Sequence, residues 1–272
     1  MRENLKIVHI ILSKGYAGSE KYLCDLLDYQ SNFFETHIIK LKANNLLNNY
    51  LNKKINIFEI SNFFQGIRIS YILKKIKPKI VHTHLGKASK LVKKSKNYKV
   101  ISTLHMHYKK SCYKNCDSII VSNNSQFYEV SKKFNGFVFK SYLWVKTKKI
   151  SKKKSILKKK LNIPKHNYIF GSIGRFHLQK GFDIILNSFK KASLENATLI
   201  LIGNDHDKYK NKIKNIKNVI LLDHVDNVSN YYNIFDTAIF ASRWETFGIS
   251  LIEAMKFGLP IISSIHMGNK DW

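Results

Sequence analysis

Along this 272-residue chain, short runs dominated by Ile, Val and Leu recur at intervals, and several stretches between them carry apolar residues at helical spacing. Leu5-Lys-Ile-Val-His-Ile-Ile-Leu reads as a strand. So do the runs that begin Ile80-Val-His-Thr-His, Val100-Ile-Ser-Thr-Leu, Tyr168-Ile-Phe-Gly-Ser-Ile, Ala197-Thr-Leu-Ile-Leu-Ile, Asn218-Val-Ile-Leu-Leu and Thr237-Ala-Ile-Phe. A strand that is apolar almost throughout is covered on both faces, which argues for parallel sheets with helices on either side. After the first strand, Gly15 and Gly18 make a turn and Ser19 is placed to cap an amphipathic helix that runs to about Tyr29. The pattern breaks between Val145 and Pro164, where Lys146-Thr-Lys-Lys-Ile-Ser-Lys-Lys-Lys-Ser interrupts it. The expected organisation is an α/β domain over 1–145, a basic linker over 146–163 and a second α/β domain over 164–272, without internal repeats.

Chemistry concentrates just after the run at Thr237. In Ser242-Arg-Trp-Glu-Thr-Phe-Gly-Ile-Ser-Leu-Ile-Glu-Ala-Met-Lys-Phe-Gly-Leu-Pro, Glu245 and Glu253 stand eight residues apart around Gly248. A helix is predicted over Ile249 to Phe257, so Glu245 lies in the turn before it and Glu253 more than one helical turn inside. Gly248 permits close approach to the backbone, and the first amides of the helix favour an anion, so the geometry suits a phosphate flanked by hydroxyls. Upstream, Gly174-Arg-Phe-His-Leu-Gln-Lys-Gly places Arg175 and Lys180 on either side of a second strand-to-helix turn, predicted to open its helix at Gly181 or Phe182. A guanidinium fork and an ammonium suit a pyrophosphate. Arg175 is one of four arginines in the chain, a rare residue at a motif position.

These two stretches resemble the Glu-x7-Glu and Gly-Arg-x4-Lys-Gly elements of the family 4 retaining glycosyltransferases. The resemblance implies the GT-B fold, two Rossmann-like domains with parallel sheets around a cleft. It implies Glu245 at the donor sugar's hydroxyls, Glu253 at the ribose hydroxyls, Phe247 and Gly248 lending amides to the diphosphate and sugar, and Arg175 and Lys180 at the donor phosphates. Ala17-Gly18-Ser19-Glu20 partly matches the family's Gly-Gly-x-Glu turn, which places Gly18 near the donor phosphates and Gly15 on the acceptor side. His105 matches the histidine closing the Thr-x-His strand, at the donor sugar beside the scissile bond. His84 matches the second histidine of the His-x-His element, a positional role, while His82 and His107 are left to structure. A different use of the same region is a zinc site of His105, His107, Cys112 and Cys116, whose Cys-x3-Cys spacing is looser than that of ordinary structural sites.

Composition changes the picture in three places. The formal net charge of +29 is the electrostatic footprint of a nucleic-acid binder, but the excess is Lys spread along the whole chain, and no helix-turn-helix, RNA-binding signature or zinc-finger spacing accompanies it. The basic stretches Ile69 to Lys77 and Lys87 to Lys96 fit an anionic membrane surface. Three cysteines are too few for a disulfide framework, and no run reaches the length of a membrane span or a signal-peptide core, so a cytosolic protein, at most peripheral to the inner face of a membrane, is expected. The resemblance then implies transfer of a hexose-type sugar from a nucleoside diphosphate to an acceptor hydroxyl with retention, the acceptor being lipopolysaccharide or another saccharide or lipid-linked glycan. No metal or cofactor is expected, since Arg175, Lys180 and helix amides carry the positive charge. The alternatives are an epimerase-like nucleotide-sugar enzyme that transfers nothing and, on charge alone, a nucleic-acid binder. Because the family continues through further elements beyond the strand at Pro260 to Ser264, the second domain is expected to be incomplete, with low stability, poor solubility and weak transfer.

Overall fold

The computed structural model of the chain describes residues 5–205, 207–214, 216–266 and 268–271. It divides into two units, one running up to Trp144 and the other from Val145 to Lys270.

In the first unit the Ile/Val runs build seven parallel strands: β1 (Lys6–Ile11), β2 (Glu35–Leu41), β3 (Asn56–Ile60), β4 (Ile80–His84), β5 (Lys99–Thr103), β6 (Ser118–Val121) and β7 (Phe137–Lys140). Their order across the sheet is β3-β2-β1-β4-β5-β6-β7. Side chains alternate between faces along each strand. Val8, Ile10, Ile39 and Ile60 therefore pack on one side against Ile69 and Leu73 of helix α2 (Gln65–Ile76). Ile11 and Ile38 pack on the other against Leu23 and Leu27 of helix α1 (Gly18–Gln30).

The second unit repeats the plan with β8 (Tyr168–Ile173), β9 (Ala197–Ile202), β10 (Val219–Leu222), β11 (Thr237–Phe240) and β12 (Ile261–Ser263), in the order β10-β9-β8-β11-β12 and again parallel. Leu199 and Leu201 face the helix Phe182–Ala192 through Ile185, Leu186 and Phe189. Ile200 and Ile202 join the opposite core with Leu251 and Ala254 of the helix Ile249–Lys256. Within the basic stretch 146–163, residues Lys154–Lys160 are helical, and Leu157 and Ile163 are buried in that same core.

Two local expectations are corrected. Ser19 does not cap α1: the helix opens at Gly18, so the N-cap is Ala17 and Ser19 lies inside the first turn, while Glu20, at the third helical position, turns back to accept from the Ala17 amide at 2.8 Å and from the Ser19 hydroxyl at 3.0 Å. The basic segment starting at Lys87 is helical only as far as Leu91, and Val92 is extended and buried, so the lysines beyond it do not continue a helical face.

Candidate functional site

Loops from neighbouring strands part to opposite faces wherever the strand order of a parallel sheet reverses, and the crevice opens outside the carboxyl ends. In the second sheet that point lies between β8 and β11. The loops leaving those strands, residues 174–181 and 241–248, hold Arg175, Lys180, Glu245, Phe247 and Gly248, and Glu253 lies in the helix after the second loop. The residues marked by sequence spacing thus meet at one edge of one sheet.

The two loops are fastened together. The Arg243 amide donates to Gln179 O at 2.8 Å and the Gln179 side chain donates to Trp244 O at 3.0 Å. The Arg243 guanidinium grips Asp183 through both oxygens, at 2.9 and 2.7 Å, and donates to Leu178 O at 2.6 Å. That fork holds the Asp183 carboxyl below its ordinary range. Gly181 stands at the contact with φ of +65°, and a Cβ there would lie 1.9 Å from Ala241 O, so no other residue fits without moving backbone.

Lys180 and Glu245 form an ion pair across the loops, and the Ser242 hydroxyl donates to the same carboxylate oxygen at 3.3 Å. Sequence reasoning sends one of these residues to phosphate and the other to sugar, whereas here each compensates the other's charge in a largely buried position. Arg175, in the same loop as Lys180, is exposed. Phe247 is buried, and Gly248, at φ of +84°, is the N-cap of Ile249–Lys256 with no side-chain cap, so the opening amides of that helix have no acceptor within it. Glu253 is also buried. Its Oε2 accepts from the Tyr232 hydroxyl at 3.1 Å, and Tyr232 lies 3.0 Å from Ser250 O, which fixes the carboxylate's orientation. Burial first, and then the charge of Glu253, drives the Tyr232 phenol well above its ordinary pKa.

Sequence reasoning missed Tyr232, Arg243 and a third loop after β12. A Cβ on Gly268 would lie 2.6 Å from Phe247 N, so this loop rests on the 245–247 turn. His266 is buried there, and its pKa is lowered chiefly by that burial, with Glu245 raising it and Lys180 lowering it. Its place directly after the last strand was the available signal.

In the first sheet the order reverses between β1 and β4. The turn after β1 is held by Asn44, which donates to Ser13 O at 3.2 Å and to Gly15 O at 3.0 Å. Gly15 is exposed with open space where a Cβ would stand, and Gly18 opens α1; neither takes a positive φ. The parallel register pairs His9 with His82 and Ile11 with His84, so all three histidines lie on the α1 face, and His105 follows β5 with the same parity. They form a file: Gln30 Oε1 lies 2.8 Å from His9 Nε2, His9 Nδ1 lies 3.1 Å from His84 Nε2, and His84 Nδ1 lies 3.1 Å from His105 Nε2. His82 Nε2 pairs with the Thr103 hydroxyl at 2.8 Å. Burial lowers the pKa of His9 and of His105 to about 4 and those of His82 and His84 well below 6.5.

The alternative zinc set does not come together. Among the described residues, the His, Cys, Asp and Glu side chains that converge are His9, His82 and His84. Cys112 packs against Gly86 instead, and Cys116 is a core residue whose thiol is pushed up to about 12 by burial, which disfavours the thiolate a metal needs.

The sequence model of the family described as Glycosyl transferases group 1 matches residues 153–272. An uncharacterized 41.2 kDa protein in the cps region of Klebsiella pneumoniae is 30% identical over 244 residues, which is 77% of this chain and 66% of that protein. The O-antigen biosynthesis glycosyltransferase WclY of Escherichia coli is 28% identical over 120 residues, 42% of this chain and 33% of its own. The chain therefore spans about two thirds or less of the length of these relatives. Among solved structures, Anabaena HepE in complex with UDP and glucose superposes with a TM-score of 0.80 at 16% identity, covering 98% of this chain and 82% of that one. The match establishes the GT-B fold, two α/β units each with a parallel sheet.

Proposed function

We propose, from the match of residues 153–272 to the family described as Glycosyl transferases group 1, that the chain transfers a hexose-type sugar from a nucleoside diphosphate to an acceptor hydroxyl with retention of configuration. The observation that carries the reading is the meeting of Arg175, the Lys180–Glu245 pair, the uncapped helix at Gly248 and the buried Glu253 at the β8/β11 switch point. In this reading Arg175, Lys180 and the helix amides hold the diphosphate, Glu253 takes the ribose hydroxyls, and Glu245 takes hydroxyls of the sugar. His105 acts in the transfer step, the fully buried His84 only positions that ring, and the turn at Gly15 and Gly18 serves the phosphates and the acceptor. The bond from the sugar's anomeric carbon to the diphosphate oxygen breaks, a bond to the acceptor oxygen forms, and the acceptor's proton leaves with the nucleoside diphosphate. Positive charge for the departing diphosphate comes from side chains and amides, so no metal or cofactor is called for.

A panel of UDP-, GDP- and ADP-sugars read by thermal stabilisation identifies the donor, since a ligand that binds the native state raises the melting point. Product analysis with and without acceptor then separates transfer from epimerisation, which needs no acceptor. Stabilisation by no member of the panel sinks the reading. Arg175→Ala and Lys180→Ala are each expected to weaken nucleoside diphosphate binding by roughly 1.5 to 3 kcal/mol, the range for a hydrogen bond to a charged group, with little effect on the nucleoside. Equal losses for the two ligands count against the phosphate assignment.

The relative from Escherichia coli and the protein from the cps region favour a cell-surface glycan as acceptor, and the protein is proposed to work in the cytoplasm, at the inner face of the membrane. No helix among the described residues is long and apolar enough to cross a membrane. Phe63 and Phe64 just before α2, and Ile67 and Tyr71 on it, are each at least 70% exposed and lie in the same segment as Arg68, Lys74 and Lys75, an exposed apolar group among cations that suits an anionic lipid surface. The protein is expected to sediment with anionic vesicles, to be released by salt, and to ignore neutral ones; equal binding to both kinds contradicts this.

A further inference from the structure

The file of imidazoles on the α1 face has a direction. A carbonyl oxygen only accepts, so His9, facing Gln30 Oε1 at 2.8 Å, carries its proton on Nε2 and accepts at Nδ1. A neutral His84 must then donate from Nε2 to His9 across 3.1 Å and accept at Nδ1. His105 in turn donates from Nε2 to His84, again across 3.1 Å, which makes its Nδ1 an acceptor.

We propose that Gln30 is a positioning residue which, through His9 and His84, sets His105 as the Nε2–H tautomer. No imidazole in the file carries a second proton at neutral pH, because burial holds all three below their ordinary pKa, and only neutral rings transmit the choice of donor from one to the next. Both nitrogens of His9 and of His84 are engaged in the file. A metal on His9, His82 and His84, whose ligand atoms lie within 4.8 Å of one another, would compete for the same lone pairs. The tautomer assignment stands on the hydrogen-bond geometry, while its consequence for catalysis rests on the proposed placement of His105 in the transfer step.

The test is the two-bond proton–nitrogen spectrum of the histidines in the whole, nitrogen-15-labelled chain. His9, His84 and His105 are expected as Nε2–H tautomers. In Gln30→Leu, the resonances of His84 and His105 should move toward a mixture of both tautomers, with kcat reduced about tenfold at an unchanged donor KM. Asn32→Ala, an exposed neighbour at the end of the same helix, should change neither. Nδ1–H tautomers in the unmodified chain, a Gln30→Leu spectrum with His105 unmoved, or stoichiometric zinc binding that abolishes the Nε2–H signals would overturn the proposal. If the tautomers respond as expected and Gln30→Leu still transfers sugar at the normal rate, the file is upheld and His105 leaves the transfer step.

Discussion

Between pH 7 and pH 5 the first unit is expected to lose several kcal/mol of stability. His9 and His105 keep their rings neutral down to about 4 in the folded chain, and His82 and His84 are depressed in the same direction, all chiefly by burial. In the unfolded chain each titrates near its ordinary value of about 6.5. Below that value the unfolded state binds more protons than the native one, so stability is present above pH 6.5 and is lost as the pH falls, by up to about 1.4 kcal/mol per pH unit for each group. For His9 alone the loss from pH 7 to pH 5 is about 1.8 kcal/mol. His105, partly open to solvent, contributes less, and His82 and His84 add with the same sign. Against a typical total of about 5 to 15 kcal/mol, this brings the unit close to unfolding. Urea unfolding at pH 7, 6 and 5, followed by amide protection in β1, β4 and β5, reads it directly. A stability unchanged over that range would mean the four rings are not buried as neutral groups.

Glu245→Gln is expected to slow transfer on the order of a hundredfold or more while leaving nucleoside diphosphate affinity near normal. Glu245 is proposed to meet the sugar, so its loss falls on the reacting end of the donor. The ion pair adds a second consequence: Lys180 is engaged by Glu245 in the structure, and neutralising the carboxylate releases the ammonium for the phosphates. Diphosphate binding should therefore hold or tighten even as turnover collapses, a separation that general damage to the loop would not give. Comparison of kcat, KM and the diphosphate Kd for this variant settles it, and turnover at the normal rate refutes the assignment.

Much of the fold was legible because a strand covered on both faces must be apolar along its whole length, and Ala197–Ile202 or Ile80–His84 stands out on that ground alone. Cap details were not, since α1 opens at Gly18, which places Ser19 inside the first turn and lets Glu20 reach back to the Ala17 amide. Arg175, Lys180, Glu245 and Glu253 were visible because the loop and the helix that carry them are local in sequence. Contacts between residues distant in sequence were invisible for the converse reason. Tyr232 reaches Glu253 across 21 residues, Arg243 reaches Asp183 across 60, and Gln30 reaches His9 across 21, contacts that only the parallel register and the crossover helices create. Lys180 and Glu245, 65 residues apart, were each read correctly as charged loop residues, but their pairing depends on the meeting of two loops that no spacing rule encodes.

The central claim is that the β8/β11 edge holds a nucleoside diphosphate with Glu253 on its ribose. Titration calorimetry of the unmodified chain and of Glu253→Gln, each with the preferred nucleoside diphosphate and with its 2′,3′-dideoxy analogue, tests it most directly. The account predicts that the unmodified chain prefers the ribonucleotide by roughly 1.5 to 3 kcal/mol, the range for a hydrogen bond to a charged group, and that Glu253→Gln loses most of this preference while binding the dideoxy analogue nearly as before. A Glu253→Gln variant that still distinguishes the two ligands as the unmodified chain does would contradict it.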